Sequence, residues 1–523
     1  MTSFFLDGAI LKDTDGIIRN EDHVELQEET LSDSDVGDDV ELPQEPAMPD
    51  PQPQPRQEAA AGIATGTGIE DVEYSVEEAV NAMGFGWFQI KVTCIVGFNW
   101  MADAFEIMLV SVLSDKLKCE WDLLPYQQAI ITTIVFSGYF LGAPLWGLMG
   151  DKFGRKVTLL LCSFYIFYFG FLSSFSPNLT WLLILRGLVG MSLGGTSQAV
   201  VILAEFLPSK SRGSCLVFIE AFWVIGVLLE ISLALLVIPT LGWRYLLVFS
   251  SVPLLIFVYL AKFLPESALY QQASGNWSGA MASLEEISRI NKKPLPPGKL
   301  RKKAELKPKG SFREVFKTKL LATTTLLLII LWFCNAFLYY GNVLLSTELI
   351  SSGDTCASNA EPELECLSTC KSLDTQGYVD LLVTSLAEFP GIVLTLLVID
   401  TLGRKITMGL EMLVAGVFTF LLLLCIGGLP QLVFIFIIRG LISGAYQALY
   451  VYTPEIFPTH VRSVAMGTCV ASSRLGAVLT PFVAQILVKQ SLVMAICVYG
   501  SFTILASITS IILPIETKGR ILK

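Results

Sequence analysis

Apolar and polar positions divide the chain into a polar lead and a long greasy body. From about Ile90 to Leu513 the apolar residues come in runs rather than at amphipathic spacing, broken by short polar islands. Roughly twelve runs reach the ~20 residues a helix needs to cross a bilayer core. They start near Ile90, Gln127, Val157, Trp181, Ser214 and Tyr245, and again near Leu320, Val379, Ile406, Gln431, Val464 and Ser491. The pattern predicts an all-α polytopic membrane protein with twelve transmembrane helices. A large soluble protein is a poor alternative, because its buried helices rarely run to that length without a charge.

The polar islands repeat. "GLMGDKFGRKVTLL" (147–160) returns as "LLVIDTLGRKITMG" (396–409), with Asp151 and Arg155 matched by Asp400 and Arg404 at an offset of 249 residues. "LRGLVG" returns as "IRGLISG", matching Arg186 with Arg439. "AEFLPSKSRG" returns as "PEIFPTHVRS", matching Glu205 with Glu455 and Arg212 with Arg462. "LPESALY" returns as "LPIETKGR", matching Glu266 with Glu516. Four signatures in one order point to two pseudo-symmetric six-helix halves. The expected organisation is an acidic, Pro-rich, disordered arm over 1–80, a first half over 85–264 and a basic linker over 265–318. A second half follows over 319–514, with a long loop at 350–376 and a short tail at 515–523.

Composition agrees. The 523 residues are 53% hydrophobic and 16% charged, against about 25% charged in soluble proteins, and mean hydropathy is +0.61. The net charge of −11 sits largely in the arm, where acid clusters and the tract "PQEPAMPDPQPQPRQE" bury too little apolar area to repay ordering. The arm has neither the basic nor the apolar region of a cleavable signal. Bases collect after even-numbered spans: Lys152, Arg155 and Lys156; Lys210 and Arg212; the run from Lys292 to Lys309; Arg404 and Lys405; Arg462. By the positive-inside rule these loops, and both termini, are cytoplasmic. Seven of 11 cysteines lie in or beside apolar runs and read as packing residues. Cys119, Cys356, Cys366 and Cys370 fall on the non-cytoplasmic side, where disulfides persist; three pairings are open to them. Asn178 in "NLT" is the sequon on that side, in a short loop close to the membrane, and Asn276 in "NWS" faces the cytoplasm.

The charged island between spans two and three, its copy after span eight, the paired "RG" motifs, "PES" and the terminal "PIETKGR" together resemble the major facilitator superfamily over about residues 85–523. "MGFGWFQ", "WMADAFEIM", "CEW", "SLAEFPG" and "VYTPEIFPT" are similar to its organic-ion and nicotinate branch. The resemblance implies alternating access, a cytoplasmic gate and a synaptic or secretory vesicle membrane. It gives the doubled turn a job as a latch, with Asp151 placed to pair with Arg155 and to cap a helix across the bundle. Asp400, Arg404, Glu205, Arg212, Glu455 and Arg462 repeat that chemistry, and Arg186 and Arg439 of the "RG" motifs are counted with the gate. The alternative is that these charges only fix topology.

Ionisable residues inside spans are costly and are functional candidates. Asp103 and Glu106 lie three apart and share a helix face, which suits binding of a proton or a cation. Glu220 and Glu230 lie in span five. Glu388 precedes Pro390 and Gly391, which can open the helical ladder. Arg474 is the base deep in span eleven; by analogy with organic-anion carriers it favours an anionic or zwitterionic substrate. Trp223, Asn335, Tyr339 and Tyr340 are expected on the cavity wall, since small-ligand pockets are aromatic with a few polar groups.

Metal chemistry and hydrolysis find no support. The two histidines, His23 and His460, have no Cys or His at ligand spacing, and there is no G-x-S-x-G or P-loop. The expectation is therefore not an enzyme, with no metal and no cofactor, but a monomeric secondary-active or facilitative carrier of a small organic ion, linked to protons. It has lipid around it and no nucleic-acid partner. The rival is a vesicle scaffold or receptor that has lost transport and binds a small ligand or nucleotide.

Overall fold

The structure is a computed structural model that describes residues 73–209, 211–301, 312–352, 373–424, 428–457 and 459–518. Among them, twelve helices are long and apolar enough to cross a membrane. They are α1 (Trp87–Glu120), α2 (Pro125–Phe153), α3 (Arg155–Ser173), α4 (Leu179–Phe206), α5 (Phe218–Val237) and α6 (Trp243–Phe263). The second six are α7 (Lys319–Ser351), α8 (Thr375–Leu402), α9 (Arg404–Leu424), α10 (Leu429–Ile456), α11 (Val464–Gln490) and α12 (Leu492–Ile512). The all-α, twelve-helix architecture is the one the hydropathy pattern predicts.

The packing repeats as the motifs do. In the first half α1 packs on α5, α2 on α4 and α3 on α6; in the second, α7 packs on α11, α8 on α10 and α9 on α12. The halves meet along two seams, α2 against α11 and α5 against α8, with α1 meeting α7 between them. Glycine makes the tight pairs: a side chain at Gly190 would strike the backbone at Val135, and one at Gly391 the backbone at Gly440. Small residues let helix backbones approach where lipid gives no hydrophobic drive for association. The α8 ladder breaks at Ala387, three residues before Pro390, whose ring nitrogen cannot donate.

The doubled turn is built the same way twice. Gly154 and Gly403 take φ of 100° and 91°, the left-handed region where glycine carries no penalty. The next helix starts at once, and a carboxylate from far along the chain covers its free amides. Glu266 accepts from the backbone N–H of Arg155 at 3.0 Å and of Lys156 at 3.2 Å. Glu516 accepts from Arg404 at 3.0 Å and Lys405 at 3.2 Å. A negative charge there meets both the orphan donors and the positive helix end. The carboxylate that caps this next helix is Glu266, while Asp151 pairs with the Arg155 side chain.

The body also begins earlier than expected. A helix at Val76–Met83 starts inside the stretch read as a disordered arm, because Ser75 and Glu78 form a capping box and Val76, Ala79, Val80 and Met83 are buried on one face. That face meets the linker helix Trp277–Asn291. Glu73–Tyr74 (β1) pairs in parallel with Lys299–Leu300 (β2), so the described part of the linker up to Arg301 is a small folded module rather than a plain loop. Residues 1–72 lie outside the described residues.

At the opposite end of the bundle, Cys119 is disulfide-bonded. Cys356, Cys366 and Cys370 lie outside the described residues. Leu373, where the chain re-enters the described part, donates its N–H to Asp115 at 2.9 Å.

Candidate functional site

Between the two seams lies a small central cavity. Its wall is drawn from both halves: Trp100 of α1, Tyr139 of α2, and Glu220, Trp223 and Val224 of α5 from the first. From the second come Tyr339 and Tyr340 of α7, Glu388 and Ile392 of α8, Ser443, Tyr446, Gln447 and Tyr450 of α10, and Arg474 of α11. The wall is therefore aromatic with two acids and one base.

Arg474 stands against an aromatic face. Its guanidinium carbon is 3.8 Å from the Tyr139 ring centre, and its Nη2 donates to the Tyr139 hydroxyl at 2.9 Å. Its Nε has no hydrogen-bond partner. A guanidinium over a ring is a cation–π contact, but it leaves the charge without a counter-ion. Glu388 is satisfied differently: Arg439 Nε donates to it at 3.1 Å, and the Tyr339 hydroxyl at 3.0 Å. Trp223 Nε1 donates to the Tyr339 oxygen at 2.8 Å, so a hydrogen-bonded chain runs from α5 of the first half to α10 of the second.

Five of the expected wall residues, Trp223, Tyr339, Tyr340, Glu388 and Arg474, are brought together here. Four are not. Glu106 is turned into the first half, where Arg186 Nη1 donates to it at 2.9 Å with both side chains fully buried. Glu230 is buried beside them and accepts from the Ser250 hydroxyl at 2.9 Å. Asn335 bonds its own helix at Leu331. Asp103 is buried behind the wall beside the Thr196 hydroxyl, within electrostatic reach of Arg474 and Glu106. Arg186 and Arg439, expected with the gate, stand mid-helix and neutralise Glu106 and Glu388; a buried charge in a bundle needs a partner at its own depth.

Sequence reasoning passed over Trp100, Tyr139, Ser443, Tyr446, Gln447 and Tyr450. A helical wheel anchored on Arg439 carries the signal for three of them, since Ser443, Tyr446 and Tyr450 fall four, seven and eleven residues on and share its face.

The gate residues sit at the end carrying the doubled turns. Arg155 pairs with Asp151 and lies 3.9 Å from Glu205. Arg404 binds Asp400 at 2.9 Å and grips Glu455 with two nitrogens at 3.2 and 3.3 Å. Each of these pairs stays within one half. Arg212 and Arg462 each donate to a carbonyl five residues back, Leu207 at 3.3 Å and Phe457 at 3.2 Å. Burial, and then the charge of Arg212 across the gap, pull the Arg462 guanidinium below its ordinary value.

The other end carries contacts that cross between the halves. Glu348 of α7 accepts from Gln128 of α2 and lies 3.9 Å from Lys118 of α1 and 3.4 Å from Lys489 of α11. The hydroxyls of Ser111 and Thr347 are 2.7 Å apart, and Gln485 donates to Ser114 at 2.8 Å.

This is the geometry of a two-half carrier, and comparison agrees. Residues 95–523 match the family described as sugar (and other) transporter, and the chain belongs to that family within the major facilitator superfamily; its relatives are transporters rather than enzymes. It is similar to the synaptic vesicle 2-related protein of Rattus norvegicus, 46% identical over 87% of this chain and 83% of the other. The protein of that name in Xenopus laevis is 46% identical over 86% of this chain and 82% of the other. Among solved structures, the inward-open xylose transporter XylE from E. coli superposes with a TM-score of 0.64 at 16% identity, over 83% of this chain and 98% of that one, a likeness of fold.

Proposed function

We propose that the chain is a secondary-active or facilitative carrier of a small organic ion bearing an anionic group, working by alternating access in a vesicle membrane. One observation carries the reading: Arg474 faces the central cavity with no ion-pair partner among the described residues. A desolvated cation left uncompensated by the protein is costly, and an anionic ligand supplies what is missing. The vesicle membrane follows the names of the relatives. Both termini are assigned to the cytoplasm from the loop bases, the folded unit is taken as a monomer, and the disulfide partner of Cys119 is one of Cys356, Cys366 and Cys370.

In this reading Asp103, buried near Arg474 without an ion-pair partner among the described residues, takes up and releases the coupling proton, with Glu106 held ready by Arg186. The charges at Arg155 and Arg404, paired within their own halves here, are the ones that re-pair across the cytoplasmic face as a latch when it closes, and the contacts at Glu348 form its counterpart on the other face. Making one set while breaking the other shifts the equilibrium between states.

The test is uptake into proteoliposomes of a panel of organic anions and cations under an imposed pH gradient. Saturable anion uptake that responds to the gradient and is lost in Arg474→Ala and Arg474→Lys is the expected result. Ligand binding without flux for any compound would favour the receptor that no longer transports. Anion binding indifferent to Arg474 would refute the proposed site.

A further inference from the structure

The cavity holds a second charge without a counter-ion. Glu220 of α5 lines it and makes no ion pair among the described residues. Glu388 is neutralised by Arg439, and Asp103, Glu106 and Glu230 are off the wall. The charges facing the ligand therefore reduce to one base and one acid. They stand at opposite seams: Glu220 on α5, which meets α8, and Arg474 on α11, which meets α2. Tyr340 and Tyr450 line the same cavity, within electrostatic reach of both.

The surroundings of the acid suit a cation. Trp100 and Gln447 adjoin Glu220, and the Trp100 and Trp223 rings stand 5.7 Å apart, tilted by 52°. Indole faces beside a carboxylate attract an ammonium or a ring cation through the quadrupole as well as the charge. The guanidinium over Tyr139 offers donors suited to a carboxylate.

We propose that the substrate is a small zwitterion, its anionic group on Arg474 and its cationic group in the corner of Glu220, Trp100 and Trp223, with a flat body against Tyr340 and Tyr450. Resting on the anion reading above, this adds the second charge. It also gives the ligand a reason to drive closure. Arg474 belongs to the second half and Glu220 to the first, so a molecule touching both is bound best when the halves are drawn together, which is the differential affinity a conformational change requires.

Three pyridines of nearly one shape test it: nicotinate (anion), N-methylnicotinate (zwitterion) and N-methylnicotinamide (cation). Binding of each to the purified full chain is measured by calorimetry at constant ionic strength. In the wild type the zwitterion is expected to bind about tenfold more tightly than nicotinate. In Glu220→Gln that preference collapses to within about threefold, while nicotinate binding persists and reports that the variant is folded. In Arg474→Gln both carboxylate ligands are lost. Nicotinate binding as tightly as the zwitterion, or a preference unchanged in Glu220→Gln, overturns the zwitterion and leaves the anion reading standing. Tightest binding by the cation, or no binding by either carboxylate, overturns both.

Discussion

Replacing Glu348 with Gln should open the end of the bundle opposite the doubled turns. Glu348 is 4% exposed and stands between Lys118 of the first half and Lys489 of the second, at 3.9 and 3.4 Å. At an effective dielectric of about 20, unit charges at those distances attract by roughly 4 and 5 kcal/mol before desolvation is subtracted. Gln keeps the shape and a hydrogen bond to Gln128 but removes both attractions. It leaves two lysines facing each other with Asp115 as the remaining acid. Desolvation cancels much of the gross figure, so a net loss of about 1–3 kcal/mol for the closed arrangement is expected, a factor of roughly 5–150 in population. Nitroxides at Tyr126 on α2 and Met494 on α12, both exposed, read the separation of the halves at that end by pulsed electron resonance. The short-distance population should fall and a longer one should grow. A distribution unchanged in Glu348→Gln would show that the charges hold nothing shut.

Three further outcomes are expected. Arg439→Ala, which strands buried Glu388, should cost about 3–5 kcal/mol, seen as a lower melting temperature in detergent; Arg439→Met with Glu388→Leu should melt above the single variant. Glu266→Ala and Glu516→Ala should each cost about 0.5–2 kcal/mol, the range of a lost helix cap, with hydrogen exchange speeding up at Arg155–Lys156 in the first and Arg404–Lys405 in the second. Finally, the hydrogen bond from the Ser75 backbone, and then that from its side chain, hold Glu78 below its ordinary value. Its contribution to the helix Val76–Met83 is present above the unfolded carboxylate pKa and lost as pH falls through the folded one. Amide protection there, taken relative to the intrinsic exchange rate at each pH, should fall on acidification, and Glu78→Gln should flatten that dependence.

The long-range plan was legible because membrane insertion writes itself into hydropathy and the halves write their motifs twice. Twelve helices, the recurring Arg155 and Arg404 pairs and the cavity positions of Trp223, Tyr339, Tyr340, Glu388 and Arg474 all followed from local patterns. What escaped depends on which way a side chain turns. Asp103 and Glu106 share a face in sequence, yet Arg186 draws Glu106 into the first half, and no spacing rule gives the depth of an arginine on another helix. Glu266 was visible as a repeat, but its duty as a cap needed the fold to bring it beside Gly154. The helix at Val76–Met83 was hidden by acidic neighbours, although Ser75 and Glu78 are a capping box in plain view.

The pairing of Glu73–Tyr74 with Lys299–Leu300 stitches together the two points where the polypeptide leaves its first six helices, upstream and downstream. A label at Glu73 would therefore travel with the first half, and its distance to one at Thr517 would follow any movement of the two halves against each other.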